Sequence, residues 1–444
     1  MAIESWLARA AAAFPDRIAV EDLERALSYA QLLDAARRIG GWLHKQGVGA
    51  GSWVGIPALP GVEFAAALHG VLLAGCVAVP IDPRWSAAER GRVEERLAAI
   101  LELERPAQGE PLSEPFTYDP DSPALVIHTS GTTGLPRPVV LTYGNLLYNA
   151  LGSAVALGLD RGERWLCALP VSHVGGLTIL TRSAIYATTA VLHPRFDTDL
   201  AYAALEEQGC TLVSLVAVTL ERLLDNGWEH PRTVRVALTG GGPVPATLVA
   251  RARAAGIPLS LTYGLTQACS QVATEPLAAL GGGLRPLFCT EVATSKEGEI
   301  LVKGKTVAPG EIGPDGWLHT GDRGTVTADG CLVVEGRLAD TIISGGENVS
   351  PTEVEEALLA HPAVKEAGAF GLPDSRWGEA VWAVVVTAGE QAPTAEELRD
   401  HCRTLLAPFK VPKGIAVVPG PLPRTASGKL LRRNLADLVA DGVR

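Results

Sequence analysis

No apolar run in this sequence approaches the ~20 consecutive residues that cross a bilayer, so a chain without a membrane span is expected. Paired cysteines are missing as well. The seven present (Cys76, Cys167, Cys210, Cys269, Cys289, Cys331 and Cys402) are scattered singly with no CxxC. Neither a disulfide framework nor a thiolate metal site can be read from them, and reduced thiols in a cytoplasmic protein are the expectation. Basic charge is in deficit: 38 Lys and Arg stand against 49 Asp and Glu, a net charge of −11. That balance argues against non-specific nucleic-acid binding, because phosphate backbones attract basic surfaces. It leaves room for a local basic pocket that takes a small anion. No internal repeat or low-complexity tract is visible. The opening MAIESWLARAAAAFPDR carries Glu4 and reads as an amphipathic helix rather than a signal peptide.

What is present is alternation. A chain of 444 residues exceeds one ordinary core, so two or more domains are expected. YAQLLDAARRIGGWLHKQ (29–46) reads as a helix and SWVGIPAL (52–59) as a strand. VEFAAALHGVLLAGC then reads as a helix and VAVPI as a strand. Residues 104–123 carry five prolines and read as a loop before the strand ALVIHT. WLCALPV, ATTAVLH, CTLVSLVA and VRVALTG are strands of a second block at about 165–260. This order favours βαβ units and a parallel sheet. Near the end, TEVEEALLA is a helix, EAGAFGLP and EAVWAVVVTAG are strands, and Thr394 with Glu397 forms a capping box. The expected architecture is α/β: a large N-terminal domain of α/β layers (1–338) and a smaller α+β C-terminal lid (339–444), cut near Gly336 to Asp340.

Four segments carry chemistry. IHTSGTTGLPRPVV (127–140) strings hydroxyls and bare backbone between two apolar runs. Successive N–H groups in such a turn form an anion-binding concavity, although no Walker A pattern is present and an ordinary polar turn has the same composition. PLPRTASGKLLRR (421–433) puts Lys429 after a flexible Ser-Gly, able to carry a cation into a cleft or to remain an exposed lysine. GWLHTGDRGTV and EGRLADTIISGGENVSPTEVEE place Asp322 and Arg337 each on a turn. A carboxylate there could hold ribose hydroxyls; a surface turn and a solvated charge are the bland alternative.

Together these segments resemble the acyl-adenylate-forming superfamily of acyl-CoA synthetases, adenylation domains and luciferases. TSGTTGLPRPV is similar to its phosphate loop, TYGLTQ (262–267) to its central Tyr-Gly-x-Thr-Glu signature, and HTGD to its ribose signature. GRLADTIISGGENVSPTEVE is similar to its hinge segment and PRTASGKLLR to its catalytic-lysine motif. The resemblance implies an AMP-forming acid–thiol ligase using ATP, Mg²⁺ and coenzyme A. Thr129, Ser130, Gly131, Thr132, Thr133 and Gly134 would cradle phosphates. Gly240, Gly241 and Gly242, with Thr262, Tyr263 and Gly264, would hold the nucleotide, the tyrosine stacking on adenine. Asp322 and Arg337 would bind ribose. Lys429 would reach the carboxylate and the α-phosphate, with Arg137 and Thr266 among the catalytic groups. Asp340 falls at the hinge position, and Gly345 and Gly346 would line the thiol's tunnel.

Two positions depart from the family pattern: Arg137 where Lys is usual, and Gln267 where a Mg²⁺-binding Glu is usual. An amide is a weaker ligand for a hard cation than a carboxylate, so a nucleotide-binding protein with impaired catalysis is one alternative. Within the family, LPVSHVGGLTILTRSAIYATTAVL (169–192) resembles the o-succinylbenzoate-activating branch, with another aryl- or acyl-CoA ligase as the competing expectation. The substrate there is an aromatic dicarboxylate. One carboxylate reacts and the other needs a partner, for which Arg182 among apolar residues is the candidate. Arg182 paired with an internal acid, or snorkelling to the surface, is the equal alternative. His173 would gate the acid pocket or simply pack beside it, Gly175 and Gly176 would make it small, and Ser270 and Gln271 would touch the substrate. Lys365, Lys410 and Lys413 are basic candidates for coenzyme A. The expected partner is a small carboxylic acid, and self-association is open.

Overall fold

Alternating helices and strands become two large sheets in the computed structural model, which describes residues 2–103, 109–113, 117–130, 136–389, 392–424 and 430–442. One sheet has five strands, in the order Ala99–Ile100, Trp53–Pro57, Val77–Ile81, Pro123–Ser130 and Pro136–Thr142. The first four run parallel and the last turns back as a hairpin. The other sheet has nine strands. Its centre is parallel and built from Arg164–Cys167, Thr189–Leu192, Leu212–Leu215 and Val236–Thr239, the four strands expected from their alternation with helices. Leu259–Leu265 extends it in parallel, and Ser270–Thr274 then folds back antiparallel.

Between the layers lies the helix Val62–Leu73, buried at every position but Glu63. A helix apolar all round belongs inside a core, and it packs there against the amphipathic helix Tyr29–Lys45, held at its start by the Ser28/Gln31 capping box. Beyond the nine-stranded sheet comes a four-stranded antiparallel one ending in Leu318–Val326 and Leu332–Arg337. A single 3-10 turn, Leu338–Asp340, leads on to another five-stranded sheet, which carries its own apolar core of residues such as Val354, Leu358, Val381, Val385 and Leu398. The Thr394/Glu397 capping box is formed at the start of the helix Ala395–Leu405.

Two sequence expectations need correction. The proline-rich loop is not wholly irregular: Thr117–Tyr118 forms a short antiparallel pair with Ile3–Glu4, so the N-terminal helix is confined to Trp6–Ala13. Period-based reading misses this because the partners lie over a hundred residues apart. Aromatic packing fixes the pair. Tyr118 stacks on Tyr143 at 4.3 Å, meets Trp6 at 4.6 Å, and shares a 2.9 Å hydrogen bond with Ser5 Oγ. The second correction concerns Asp322 and Arg337, which lie on strands rather than turns. The pattern of Leu318, Thr320, Asp322 and Gly324 pointing inward is the period-2 alternation of a half-buried strand, obscured in the sequence by its glycines.

Tyr118→Ala is expected to cost about 3–5 kcal/mol, the usual range for deleting a large buried ring. Tyr118→Phe, which loses only the bond to Ser5, should cost about 1 kcal/mol. Urea unfolding monitored by tryptophan fluorescence checks both, and equal losses would contradict the packing assigned to the ring.

Candidate functional site

The hairpin Pro123–Ser130/Pro136–Thr142 brings Thr129 opposite Arg137, and Thr129 Oγ1 donates to the Arg137 carbonyl at 3.3 Å. Gly131, Thr132, Thr133 and Gly134, like Lys429, lie outside the described residues. Arg137 lies at the loop end of the hairpin's second strand and gives two hydrogen bonds, of 2.9 and 3.1 Å, to Glu311.

Close backbone approaches assemble the neighbouring wall. A Cβ at Gly240 would sit 2.5 Å from the Thr262 carbonyl, and one at Gly264 only 1.7 Å from the Ser270 carbonyl. Only glycine permits these contacts, so Gly240 lies directly against Thr262 while the turn at Gly241 (φ 82°) and Gly242 stays exposed. At Tyr263/Gly264 the antiparallel ladder slips by a bulge. Past the short turn that holds Thr266 and Gln267, Cys269 and Ser270 both adopt positive φ (55° and 96°). Two successive non-glycine residues in that region are strained, a feature that clusters at functional sites.

Tyr263 does more than offer a ring face. Its hydroxyl donates to Asp322 Oδ2 at 2.7 Å, and burial followed by the neighbouring Asp322 charge pushes its pKa up. Asp322 Oδ1 meets Arg337 Nε at 2.8 Å, and Arg337 also donates to the Thr320 carbonyl at 3.2 Å. The two charges are direct cross-strand partners.

Arg182 shows neither of the two structural alternatives among the described residues. It lies in the helix Val174–Tyr186 and is 1% exposed, so it does not snorkel. Among the described residues no acid pairs with it. Its Nη2 donates to Asn149 Oδ1 at 2.5 Å, its guanidinium lies 5.5 Å from the Trp165 ring centre, and its Nε has no partner. Burial pushes its pKa down. Asn149 in turn donates to the Gln271 carbonyl at 3.1 Å, and the Gln271 side-chain oxygen is itself buried without a partner. Thus Arg182 and Gln271 come into one polar cluster through Asn149, a residue the sequence reading passed over. It lies on the buried face of the helix Tyr143–Leu157, between Asn145 and Ser153 one turn to either side.

His173 caps the start of the Arg182 helix. Its Nε2 is 3.3 Å from Arg84 Nη2, and Arg84 forks onto Asp82 at 2.5 and 2.8 Å. Because arginine only donates, this contact makes Nε2 the acceptor and puts the ring proton on Nδ1. Burial raises the Asp82 carboxyl, but bonds from Arg84 and Ser172 outweigh it and hold the pKa at about 2. Asp82 and Arg84 were missed as well, since nothing local marks a pair whose target lies ninety residues on. Gly176 approaches the Pro170 carbonyl so closely that a Cβ would stand 2.6 Å away, whereas one at Gly175 would meet only Leu169 at 3.6 Å.

In the C-terminal sheet, Gly345 and Gly346 form the tight turn between Ile342–Ser344 and Glu347–Val349, both at positive φ. Gly345 backs onto Trp377, whose ring is flanked by Arg376 at 4.9 Å and Lys413 at 5.0 Å. Lys410 instead pairs with Glu353 at 2.6 Å, and Lys365 is exposed. Asp340 accepts from Arg432 at 2.9 Å, and the same guanidinium forks onto the buried Glu355. Among the described residues no group of three or more metal-ligating side chains occurs. Gln267, the expected metal contact, is half-buried and its amide makes no hydrogen bond among the described residues.

Models of two families match this chain: AMP-binding enzyme over residues 7–107 and 94–312, and AMP-binding enzyme C-terminal domain over 353–429. The chain belongs to the AMP-binding enzyme family. It is 37% identical to a 2-succinylbenzoate–CoA ligase of Bacillus cereus (strain Q1), with 98% of this chain and 99% of the relative covered. A ligase of the same name from Bacillus licheniformis is 36% identical over 97% of this chain and 99% of its own. Among solved structures, the fold is similar to o-succinylbenzoate CoA synthetase from Bacillus subtilis in complex with its acyl-adenylate intermediate, with a TM-score of 0.89, 33% identity and 98% of each chain covered. The same enzyme with ATP and magnesium ion gives 0.89 and 33%, covering 98% of this chain and 100% of that one. A double mutant of it bound to a product analogue gives 0.73, again at 33% identity, covering 98% and 99%.

Gly176→Ala should destabilise the fold by about 1–3 kcal/mol, the usual cost of overpacking, and lower affinity for the acid. Gly175→Ala should leave stability within about 0.5 kcal/mol of the parent. Thermal melts with and without substrate separate the two.

Proposed function

We propose that this chain is an ATP-dependent acid–CoA ligase that converts o-succinylbenzoate to o-succinylbenzoyl-CoA, as the names of its relatives describe for them. The acid's carboxylate oxygen attacks the α-phosphorus of ATP and pyrophosphate leaves. The thiol sulfur of coenzyme A then attacks the acyl carbon of the mixed anhydride, and AMP leaves. The first step joins two anions, so positioning and charge neutralisation are what the protein must supply.

Residues 1–338 form the body and 339–444 the lid in this reading. Ser130 to Gly134 and Arg137 take the phosphates; Gly240 to Gly242, Thr262, Tyr263 and Gly264 hold the base; Asp322 and Arg337 accept and donate to the ribose. Lys429 bridges the reacting carboxylate and the α-phosphate, with Thr266 nearby. Magnesium bound with ATP would supply positive charge to the leaving pyrophosphate. The lid turns about Asp340, bringing Gly345 and Gly346 to the thiol with Lys413 and Trp377 alongside, so that one site serves both half-reactions. The cytoplasm is the compartment proposed.

Arg182 carries the choice of acid. Burying a guanidinium without a counter-charge costs several kcal/mol, and a second carboxylate on the substrate would offset that cost. His173, Gly175, Gly176 and Ser270 complete the acid pocket in this assignment, and Asn149 keeps the guanidinium aimed.

Thioester formation from ATP, Mg²⁺ and coenzyme A, with o-succinylbenzoate, benzoate and octanoate in parallel, tests the proposal. The dicarboxylate should be preferred by at least about 100-fold in kcat/KM, since losing the partner of a buried charge costs about 3–5 kcal/mol. Arg182→Met, which keeps the bulk and removes the charge, should abolish that preference while leaving the melting temperature equal or higher. Equal turnover of the monoacids by the parent would leave a general acyl-CoA ligase in which Arg182 is only structural.

A further inference from the structure

Helices in this chain that begin at Ser or Thr and carry Glu, Gln or Asn three residues on close a reciprocal cap on themselves: Ser28 with Gln31, Ser86 with Glu89, Thr142 with Asn145 and Thr394 with Glu397. The helix Pro351–Leu359 does not. It opens with Ser350-Pro351-Thr352-Glu353, the spacing of a capping box with proline at the first helical position, yet Ser350 makes no side-chain cap bond. Its hydroxyl is used elsewhere. Ser350 Oγ donates to the Glu335 carbonyl at 2.6 Å, and Glu335 lies in the strand Leu332–Arg337 of the body. The 3-10 turn Leu338–Asp340 separates the two residues, so this bond crosses the segment about which the lid is proposed to turn. The backbones are close as well: a Cβ at Gly336 (φ 138°) would stand 3.2 Å from Thr352 Oγ1. Both flanking acids are held. Glu335 accepts from Arg323 and Thr325 of the body, each at 3.1 Å, while Glu353 takes the Lys410 ammonium of the lid at 2.6 and 2.7 Å.

From this arrangement we infer that Ser350 is a hinge latch that changes partner as the lid turns. It bonds the Glu335 carbonyl in the present orientation, and accepts from the Glu353 N–H at the start of its own helix once the lid has swung away. The inference rests on the lid rotation in the reading given above. Turning the lid about Leu338–Asp340 draws Ser350 away from the body strand. A hydrogen bond broken there without replacement would bias the hinge toward the present orientation. The idle capping box supplies the replacement, because a hydroxyl accepting from the third N–H of a helix contributes about as much as a neutral hydrogen bond. Serine serves in both positions: its hydroxyl can donate to a carbonyl and accept from an amide. The exchange is therefore nearly balanced, which suits a lid that must occupy two orientations in each turnover; a strong preference for either would leave the other rarely populated.

Spin labels on Asn226→Cys of the body and Asp400→Cys of the lid, both exposed positions, report the body–lid distance by pulsed electron resonance, with the half-buried Cys289 changed by Cys289→Ser. The parent should populate both orientations. Ser350→Asp can cap its helix but cannot donate to a carbonyl, and should move the ratio at least about 10-fold toward the rotated orientation without lowering the melting temperature. Ser350→Ala loses a bond in each orientation, so the ratio should stay within about 3-fold of the parent while the melting temperature falls. Ser350→Thr, which keeps both capacities, should match the parent. A shift of about 10-fold in Ser350→Ala would mean a one-sided clip with no second partner. That result, an unmoved ratio in Ser350→Asp, or a single distance in every variant would overturn the inference. Failure of the ligase reading shows differently: the lid would still change its distances, yet the parent would exchange pyrophosphate with no acid.

Discussion

A guanidinium buried with no acid beside it among the described residues is the constraint on which the proposed site depends. Arg182 cannot reach water, so its charge must be met from inside. The described residues meet it with neutral groups only: the Asn149 oxygen and the face of Trp165. Such partners soften the desolvation penalty without cancelling it, since a charge is fully compensated only by an opposite charge. In the proposed function the acid's second carboxylate brings that charge. The same need extends outward. Asn149 is oriented by the Gln271 carbonyl, and Gln271 follows the strained pair Cys269–Ser270, whose backbone is shaped by the bulge at Tyr263/Gly264. The residues proposed for the acid and for the nucleotide thus face one another across the two arms of one antiparallel hairpin, with Gly264 opposite Gln271.

Charge elsewhere follows a different rule. Asp322 with Arg337, Asp82 with Arg84, Glu355 with Arg432 and Glu311 with Arg137 are all matched pairs in which a well-buried carboxylate holds a more accessible arginine. Each fixes a side chain that the proposed chemistry uses or a segment that presents one. Arginine suits this work because its fork can grip a carboxylate and still present donors outward.

Much of the architecture could be read in the residues. The parallel strands at 165–240 are short, largely apolar runs between helices, and the Thr394/Glu397 box sits where its spacing puts it. Motif order revealed the family. What escaped reading was long-range. Ile3–Glu4 finds Thr117–Tyr118 through ring packing that no local window contains. Asp322 and Arg337 read as turn residues because of the glycines beside them, whereas in the fold those glycines give way to a cross-strand ion pair. Asn149, Arg84 and Glu311 each act on a residue from 33 to 174 positions away, and their own surroundings are unremarkable helix, turn and 3-10 turn. Side chains of this kind become functional only once the sheets have brought them together.

Exchange of labelled pyrophosphate into ATP, without coenzyme A and with each acid in turn, tests the central claim most directly. The account predicts exchange that depends on o-succinylbenzoate, because the adenylate forms and reverses before any thiol is needed. Exchange supported equally by acids with a single carboxylate, or by no acid at all while ATP still binds, would contradict it.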